Sequence, residues 1–277
     1  MSRIWFITGS SRGLGRAITE AALRAGDRVA ATARNPRQLD DLVAEFGDAV
    51  YSLPLDVTDI SQVAQAVDKA VAHFGRLDVV VNNAGYGDVA SVEDVTPDDF
   101  KAQIDTNFYG VVNVSKAVVP VLRRQGSGHI IQVSSLGGRI GMPGLAAYQS
   151  AKWAVGGFST VLAQEVAPLG VQVTVLEPGG MRTDWSGSSM TIPAISEPYQ
   201  QTVGALVQLI GSPGILPTGP ARVAEIVLEL ALSKDAPLRL LIGADAVQYA
   251  ARAAEDLAAS DKNGMTSVCR PLTDVIV

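Results

Sequence analysis

Short apolar runs recur along the chain and alternate with longer amphipathic stretches. Runs such as VVVNN at 79–83 and IIQVS at 130–134 are apolar at successive positions, which is typical of strands covered on both faces. Because both faces of such strands are apolar, the pattern favours a parallel sheet buried inside the protein. Seven runs of strand length predict β-strands at residues 3–8, 28–32, 50–55, 77–82, 129–134, 171–176 and 238–242.

Helical periodicity fills most of the segments between these runs. Several of the helical segments begin with a cap residue or an early proline, and together they predict helices at 13–24, 36–46, 60–74, 97–124, 147–167 and 221–233. Sustained alternation of strand and helix predicts an α/β fold, a Rossmann-type doubly wound parallel sheet of about seven strands with helices on both faces. Such sheets bind ligands beyond the carboxyl ends of their strands, so we expect the chemistry there.

The domain organisation follows from where this alternation continues and where it breaks. No linker or run of charge interrupts the first 180 residues, so we expect residues 1–277 to form a single domain. Residues 185–219 break the alternation and carry several prolines among apolar residues; we interpret them as a flap over the substrate, and the chain from about residue 246 as a C-terminal extension. The apolar flap residues expected to face a substrate are Trp185, Met190, Ile192, Ile195, Leu206, Ile210 and Leu216.

Composition and charge exclude several classes of protein. The formal net charge is −6, which offers no attraction to a nucleic-acid backbone, and no run of about 18 apolar residues occurs that would span a membrane. Cys269 is the only cysteine, and His73 and His129 lie far apart, so neither a disulfide nor a metal site is expected. The single cysteine and the lack of an apolar leader favour the reducing cytoplasm.

A glycine-rich turn follows the first predicted strand, where TGSSRGLG occupies residues 8–15 and leads directly into a helix. Glycine lets a ligand approach the backbone, and the free N–H groups and dipole of a helix start favour a pyrophosphate. The spacing differs from the GxGxxG fingerprint, so the turn taken alone could also be an ordinary one. Residues 9–13 also read GxSxG, the nucleophile elbow of hydrolases, but that triad needs a late histidine, and both His73 and His129 lie in the first half of the chain.

Four further motifs follow the glycine turn in order along the chain. They are NNAG at 82–85, Ser135 after the fifth strand, YQSAK at 148–152, and Pro178-Gly179 after the sixth strand. Together with TGxxxGxG at 8–15, they resemble the short-chain dehydrogenase/reductase family over about residues 3–245. The resemblance implies a nicotinamide-dependent oxidoreductase that interconverts a carbonyl and an alcohol. It also implies a homodimer or homotetramer that pairs through the helices at 97–124 and 147–167.

The resemblance further implies which residues bind the coenzyme. The glycine turn would contact the pyrophosphate, Asp56 the adenine, NNAG the length of the dinucleotide, and the segment after Pro178 the nicotinamide. Asp56 has the additional interpretation of an N-cap for the next helix. The residues assigned to the coenzyme are Gly9, Ser11, Arg12, Gly13, Leu14, Gly15, Arg34, Asp56, Val57, Asn83, Ala84, Gly85, Tyr148, Lys152, Pro178, Gly179, Met181 and Thr183.

Coenzyme choice is expected to be decided at the end of the second strand. NAD-binding folds of this kind place an acidic residue there to bind the ribose 2′-hydroxyl, whereas this chain has Ala33 followed by Arg34. Two guanidiniums, Arg12 and Arg34, would clamp a 2′-phosphate, so the sequence predicts NADP(H) in preference to NAD(H). The alternative is that both arginines are solvated turn residues.

Tyr148 and Lys152 are four residues apart, so on a helix both side chains reach one face. Such a pair also arises by chance, and the other motifs are what give it weight. Carbonyl reduction needs a proton donor on the protein, and a phenol beside an ammonium can give and take that proton. Ser135 is expected to polarise the substrate oxygen, while its neighbour Ser134 bonds to the backbone.

The resemblance adds two roles around this pair. It implies that Lys152 binds the nicotinamide ribose and that Asn107 holds a water that leads to the lysine. An asparagine inside a helix is also consistent with a local kink. The sequence therefore predicts an NADP(H)-dependent oxidoreductase acting through Ser135, Tyr148 and Lys152 on an apolar ketone, aldehyde or alcohol, whether steroid- or retinoid-like, aliphatic or aromatic.

Two alternatives stay open on the same fold. One is a 3-oxoacyl-thioester reductase, for which Arg123, Arg124 and Arg139 would offer an acidic carrier a docking site, although scattered arginines are usually solvated. The other is a catalytically idle NADP(H)-sensing regulator, since a fold alone never establishes turnover. Trp153 after the lysine and Glu177 before the proline depart from the family pattern without removing a reacting group.

Overall fold

The computed structural model describes residues 2–181, 190–210 and 218–268. Its centre is a seven-stranded sheet in the order β3-β2-β1-β4-β5-β6-β7, with every neighbouring pair parallel. This sheet confirms the predicted doubly wound fold. The strands are β1 Ile4–Ile7, β2 Arg28–Ala33, β3 Val50–Pro54, β4 Val79–Asn82, β5 Gly128–Val133, β6 Val171–Pro178 and β7 Arg239–Ile242.

Helices cover both faces of the sheet, and local signals set their ends. α3, for example, starts where the Asp59 carboxylate accepts two backbone N–H groups and ends at Gly75, whose φ of 85° terminates the helix. The helices are α1 Gly13–Arg24, α2 Asp40–Phe46, α3 Ile60–Phe74, α4 Pro97–Ile104, α5 Gly110–Gln125, α6 Ala146–Val166, α7 Ala205–Ile210, α8 Pro220–Leu232 and α9 Ala244–Val268.

The strands separate two apolar cores. Phe6 in β1 faces the core formed with α3, α5 and α6, whereas its neighbours Trp5 and Ile7 face the core formed with α1, α2 and α8. All three side chains are fully buried, and Phe6 is in register with Ala30 of β2 and Val80 of β4. Burial on both faces explains why these strands are apolar at successive positions rather than at alternate ones.

The strand order places a crevice at the centre of the sheet. From β1 the chain runs outward through β2 and β3, then returns to β4 on the opposite side of β1. The connections after β1 and β4 therefore leave in opposite directions and open a space at the carboxyl ends of these strands. Thr8 follows β1 there and donates its N–H to the carbonyl of Val81 at 3.0 Å.

Several segments differ from the predicted elements. The helix predicted at 97–124 is divided by a π-helical turn, Asp105–Tyr109, which contains Asn107 and alters the helix at the residue expected to kink it. Residues 190–210 contain a 3₁₀ turn at Glu197–Tyr199, a π-helical turn at Gln200–Gly204, and α7. The long helix α9 follows β7 where no element was predicted. The single-domain, flap and extension assignments stay predictions, and Cys269 lies outside the described residues.

Candidate active site

A cleft of about 1940 Å³ opens along the carboxyl edge of the sheet. Gly15 lies behind its wall, and Thr183 falls outside the described residues. The structure thus brings together along one cleft residues that are dispersed over 173 positions of the chain, from Gly9 to Met181. The predicted site residues that line it are Gly9, Ser11, Arg12, Gly13, Leu14, Arg34, Asp56, Val57, Asn83, Ala84, Gly85, Asn107, Ser135, Tyr148, Lys152, Pro178, Gly179 and Met181.

The turn between β1 and α1 depends on glycine for its shape. Gly9 and Gly13 have φ of 70° and 57°, a conformation that side chains rarely adopt. A Cβ at Gly15 would lie 2.2 Å from the carbonyl oxygen of Gly9 and 2.3 Å from Nδ2 of Asn83. The first-turn N–H groups of α1 have no partner within the helix, and Gly13 and Leu14 line the cleft. The turn can therefore hold an anionic group such as a pyrophosphate.

Thr8 joins the ends of β1 and β4, a role that the sequence analysis did not assign. Its hydroxyl accepts the N–H groups of Asn83 and Ala84 at 2.9 and 3.0 Å. The Asn83 amide in turn donates to the carbonyls of Thr8 and Gly9 at 3.0 and 3.2 Å. The NNAG segment is thereby joined to the glycine turn by four hydrogen bonds. The threonine of TGxxxGxG was the available signal.

Two exposed arginines, Arg12 and Arg34, line the cleft near the end of β2. Neither forms an ion pair within the described ranges. The nearby Arg16 differs, because it donates to Glu20 at 2.6 Å and to Asp41 at 3.0 Å. This guanidinium holds the pKa of the Asp41 carboxyl below its usual value. Arg12 and Arg34 are thus the cations that this part of the cleft offers to a ligand.

The capping interpretation of Asp56 was wrong. The N-cap of α3 is Asp59, whose carboxylate accepts the N–H groups of Ser61 and Gln62 at 2.9 and 3.0 Å. Asp56 instead accepts the N–H and the hydroxyl of Thr58 at 2.9 and 2.7 Å. It closes a local turn and lines the cleft, where its carboxylate is compatible with the adenine role implied by the resemblance.

Tyr148 and Lys152 lie one turn apart on the buried face of α6. The Lys152 ammonium donates to the carbonyl of Val133 at 2.9 Å and lies 5.5 Å from the centroid of the Tyr148 ring. Burial raises the pKa of the Tyr148 phenol to about 12, although a hydrogen bond with Ser135 opposes this, and burial lowers the pKa of Lys152 to about 8. At neutral pH the pair is therefore a protonated phenol beside an ammonium, which suits proton donation.

Ser135 lies directly after β5, in extended backbone with φ of −165°. Its hydroxyl accepts the N–H of Gly137 at 3.0 Å and shares a hydrogen bond with the Tyr148 phenol. The neighbouring Ser134 turns away and donates to the carbonyl of Lys152 at 3.2 Å, as expected for a serine that bonds to the backbone. Only one of the two adjacent hydroxyls therefore shares the space in front of the phenol.

Asn107 reaches the same space from the π-helical turn. Its amide nitrogen donates to the carbonyls of Tyr86 and Gln103 at 2.8 and 2.9 Å, whereas its Oδ1 is buried and has no hydrogen-bond partner in the described part of the chain. A Cβ at Gly85 would lie 2.5 Å from that Oδ1 and 3.5 Å from the Lys152 ammonium. Glycine at this position keeps a gap between amide and ammonium. Because a buried acceptor without a partner is costly, the gap suits a water or a ligand hydroxyl.

Two arginines that line the cleft, Arg139 and Arg239, belong to an ion-paired cluster that was not predicted. Glu177, only 1% exposed, accepts from Arg139 at 2.8 Å and from Arg239 at 2.9 Å. One buried carboxylate thereby ties the segment after β5 to β6 and β7. Arg139 is paired rather than free, so the suggested carrier-docking site loses one of its three arginines, and Arg123 and Arg124 are exposed. The unusual Glu177 before the proline was the signal for this cluster.

Beyond the catalytic residues, part of the cleft wall is apolar. Met142, Leu145, Leu206 and Leu209 line it, and Leu206 belongs to a small separate core with Val89. Of the apolar flap residues, Leu206 lines the cleft, Met190 and Ile195 pack against that small core, Ile192 is exposed, and Trp185, Leu216 and the Ile210 side chain lie outside the described residues.

The cleft fits a nicotinamide dinucleotide on three observations. Glycines leave space where a Cβ would collide, and two arginines line the side expected to receive the adenosine. On the catalytic side, a buried amide oxygen lacks a partner within the part of the chain that the structure describes. Over residues 2–181, 190–210 and 218–268, no three His, Cys, Asp or Glu side chains gather as a metal site. Within those same ranges, no helix has the length and hydropathy needed to cross a membrane.

Comparisons with known proteins agree with this arrangement. The family model for short chain dehydrogenase matches residues 3–191. The chain is 64% identical over 264 residues to Oxidoreductase BOA17 of Botryotinia fuckeliana (strain B05.10), covering 95% of this chain and 96% of that protein. A short-chain dehydrogenase structure from Streptomyces avermitilis has a TM-score of 0.89 at 35% identity, covering 98% of each chain. An alcohol dehydrogenase from the archaeon Thermococcus sibiricus, complexed with 5-hydroxy-NADP, has a TM-score of 0.72 at 29% identity, covering 87% of this chain and 96% of that chain.

Proposed function

The chain belongs to the short-chain dehydrogenase family of NAD(P)-dependent oxidoreductases, and we propose that it interconverts a ketone or aldehyde and the corresponding alcohol, using NADP(H). One observation carries the proposal. A buried phenol, its neighbouring hydroxyl at Ser135, an ammonium and an amide oxygen that has no partner among the described residues surround one space at the carboxyl edge of the sheet. This is the set of groups that proton transfer to a carbonyl oxygen needs.

In the reducing direction, Tyr148 donates the proton to the carbonyl oxygen. Burial raises the pKa of its phenol to about 12, so the side chain holds this proton at neutral pH. The Ser135 hydroxyl stabilises the substrate oxygen as negative charge develops there, an interaction that strengthens in the transition state. A bound nicotinamide supplies the hydride for the carbonyl carbon, or takes it up in the reverse direction.

Lys152 supports both directions of the reaction. Burial lowers its pKa to about 8, so the side chain still carries a charge at neutral pH. That charge favours the phenolate of Tyr148, which alcohol oxidation requires. The gap that Gly85 keeps beside the ammonium suits a water held by Asn107 Oδ1, through which protons would pass to and from solvent. The same ammonium would bind the nicotinamide ribose.

The preference for NADP(H) is supported by the charges at the end of β2. Arg12 and Arg34 line the cleft without an ion pair among the described residues, and Ala33 occupies a position where an acidic side chain would bind a ribose 2′-hydroxyl. A phosphate forms charge-assisted hydrogen bonds with guanidinium groups, whereas a hydroxyl does not. The Thermococcus sibiricus structure, which holds a derivative of NADP, is compatible with this choice.

The apolar wall supports an apolar substrate. Leu206 and Leu209, from the described part 190–210 of the predicted flap, line the cleft beyond the catalytic residues, so we assign this part to the substrate side. Residues 185–189 and 211–217 of that prediction lie outside the described residues. Two apolar side chains are exposed at the predicted interface: Tyr109, directly before α5, and Val161, on α6. They support a homodimer or homotetramer that pairs through these helices. A cytoplasmic location remains part of the proposal and is based on the single cysteine.

The proposal is tested by a panel of apolar ketones, aldehydes and 3-oxoacyl thioesters, with NADPH or NADH consumption as the measurement. We expect oxidation of NADPH with at least one apolar ketone or aldehyde, and slower reaction with NADH. Turnover of the thioesters alone would favour the thioester reductase. Tight NADPH binding by fluorescence without any turnover would instead favour the idle regulator.

A further inference from the structure

A carboxylate from the C-terminal helix holds the loop that follows β6. Asp245, the second residue of α9, accepts the N–H of Gly180 at 2.8 Å, and both Asp245 and Gly180 line the cleft. The two residues are separated by 65 positions, and nothing in the motif pattern connects them. The contact therefore joins the nucleotide cleft to a helix that lies outside the residues matched by the family model.

The carboxylate is also packed against the backbone on both of its sides. A Cβ on Gly179 would lie 2.2 Å from Asp245 Oδ2, and a Cβ on Gly243 would lie 2.4 Å from its Oδ1. A Cβ at either position would have to push the carboxylate aside, which would disturb its hydrogen bond to Gly180. Glycine at positions 179 and 243 therefore leaves the space that the Asp245 carboxylate occupies.

Backbone contacts also hold residues 179–181, the loop after β6. The N–H of Gly179 donates to the carbonyl of Ile242 at 2.9 Å, and the N–H of Thr218 donates to the carbonyl of Gly180 at 2.9 Å. Met181 pairs with Thr218 in an isolated parallel bridge. The backbone of 179–181 is thus supported by the end of β7, by residue 218 and by α9, and Asp245 provides the only side-chain hydrogen bond to it within the described part of the chain.

α9 is itself anchored close to the catalytic residues. Ala246 and Ala250 are buried against Leu136, the residue after Ser135, with Ile140 beside them. The helix dipole favours the Asp245 carboxylate in the first turn. The orientation of this carboxylate is therefore set by a helix that packs against the segment after β5.

We propose that Asp245 is a positioning residue that fixes the backbone of 179–181 in the conformation that receives the nicotinamide half of the coenzyme. The inference rests on the proposed function for the identity of the ligand. Without the carboxylate, the Gly180 N–H loses its acceptor and the space behind Gly179 opens, so the segment is no longer preorganised. Coenzyme binding must then order it, which weakens affinity rather than the proton transfer at Tyr148.

The test compares Asp245→Ala with Asp245→Asn, whose amide oxygen can accept the same hydrogen bond. Asp261→Asn, an exposed aspartate on the same helix, is the matched control. In protein without coenzyme, we expect amide hydrogen exchange across 179–181 to be about tenfold faster in Asp245→Ala. We expect the Kd and KM for NADPH to rise about tenfold while kcat changes less than about threefold. Asp245→Asn should recover most of each effect, and Asp261→Asn should match the wild type.

Two results would overturn the role of Asp245: exchange and NADPH Kd in Asp245→Ala within about twofold of wild type, or a loss that Asp245→Asn does not recover. If Asp245→Ala does not fold, Asp245→Ser, which keeps a short polar group, replaces it in the comparison with Asp245→Asn. Wild-type protein that binds neither NADPH nor NADH would refute the proposed function itself. Wild type that binds NADPH together with an Asp245→Ala that binds it equally well refutes only the inference about Asp245.

Discussion

The two ends of the strands differ in how their buried polar groups are bonded. The amino-terminal ends of the strands form the amino edge of the sheet, and the carboxyl-terminal ends form the carboxyl edge. At the amino edge, the buried carboxylate of Asp27 is bonded within the chain: it accepts from the backbone N–H of Arg3 and the indole N–H of Trp5, both at 2.8 Å. At the carboxyl edge, Asn107 Oδ1 has no partner among the described residues, and glycine at position 85 keeps the space beside it open. Unused hydrogen-bonding capacity beside an opening, rather than burial, distinguishes the edge that binds ligands.

A comparison of two buried basic side chains, His129 and Lys152, makes the same point. Burial lowers the pKa of His129 at the amino edge to about 4 and that of Lys152 at the carboxyl edge to about 8. The cause is the same, yet His129 is neutral at physiological pH and bonds to Thr174 at 2.9 Å, while Lys152 stays charged beside Tyr148. A shifted pKa therefore does not identify a site unless the group also faces a cleft.

Removing the phenol hydroxyl at the carboxyl edge should produce the largest functional effect. We expect Tyr148→Phe to reduce turnover by about 10²–10⁴-fold, because only the transferable proton is lost. NADPH binding and the unfolding midpoint should stay near wild type. Tyr109→Phe, which alters an exposed phenol, is the control and should keep full activity. Near-normal turnover by Tyr148→Phe would remove this residue from the mechanism.

The amino edge should show the opposite response, in stability rather than activity. His129 has a folded pKa of about 4 and an ordinary value of 6.5, so the unfolded chain takes up the proton first as the pH falls. The stability that neutral His129 contributes is fully present above pH 6.5 and is lost as the pH falls towards 4. The free energy of unfolding should decrease by about 3 kcal/mol over this range.

Urea unfolding of wild type and His129→Gln between pH 6.5 and pH 4 measures how the free energy of unfolding changes with pH. The variant should lack the slope that His129 causes in wild type. His73→Gln, an exposed histidine, should retain the wild-type slope. At neutral pH the kcat of His129→Gln should equal that of wild type. A strong loss of kcat there would contradict the separation of the two edges.

Gly15→Ala should affect both properties, because it places a Cβ 2.2 Å from the carbonyl oxygen of Gly9. We expect the free energy of unfolding to fall by about 1–3 kcal/mol, and NADPH affinity to fall with it as the glycine turn is displaced. Gly157→Ala is the matched control, since a Cβ at that helical position meets nothing within 4 Å. Calorimetry and fluorescence titration measure the two effects, and equal behaviour of both variants would disprove the packing argument.

The smallest effect is expected for the exposed arginine at the mouth of the cleft. Arg34→Asp should weaken NADPH about tenfold while changing NADH little, because only NADPH carries the additional phosphate. Arg37→Asp changes a nearby exposed arginine that does not line the cleft, and should leave both affinities unchanged. Parallel losses for NADPH and NADH in Arg34→Asp would show that the arginine does not contact the 2′-phosphate.

Local sequence signals predicted the seven strands and most of the helices, and the family motifs predicted the site residues that line the cleft. The tyrosine and lysine of α6 share a face because four residues make about one helical turn, and that relation needs no tertiary information. Contacts between distant elements were not predictable in this way. The second interpretation of Asp56, as the N-cap of α3, was wrong because Asp59, three residues away, satisfies the same local pattern and caps the helix. The pairing of Arg139 with Glu177 joins the segment after β5 to strand β6, and only the packed sheet defines their relative position.

The amino-acid sequence by itself determined the alternation of strands and helices, the glycine turn and the spacing of Tyr148 and Lys152, since these depend on backbone conformation and on residues within a turn of each other. Tertiary structure decided which polar groups are bonded: Thr8 joins two strand ends, Asp245 accepts from the loop after β6, and Asn107 Oδ1 has no partner in the described ranges. The physical reason is that a hydrogen bond depends on angstrom-scale distances between atoms, and for residues far apart in the chain the packing of the whole sheet sets those distances.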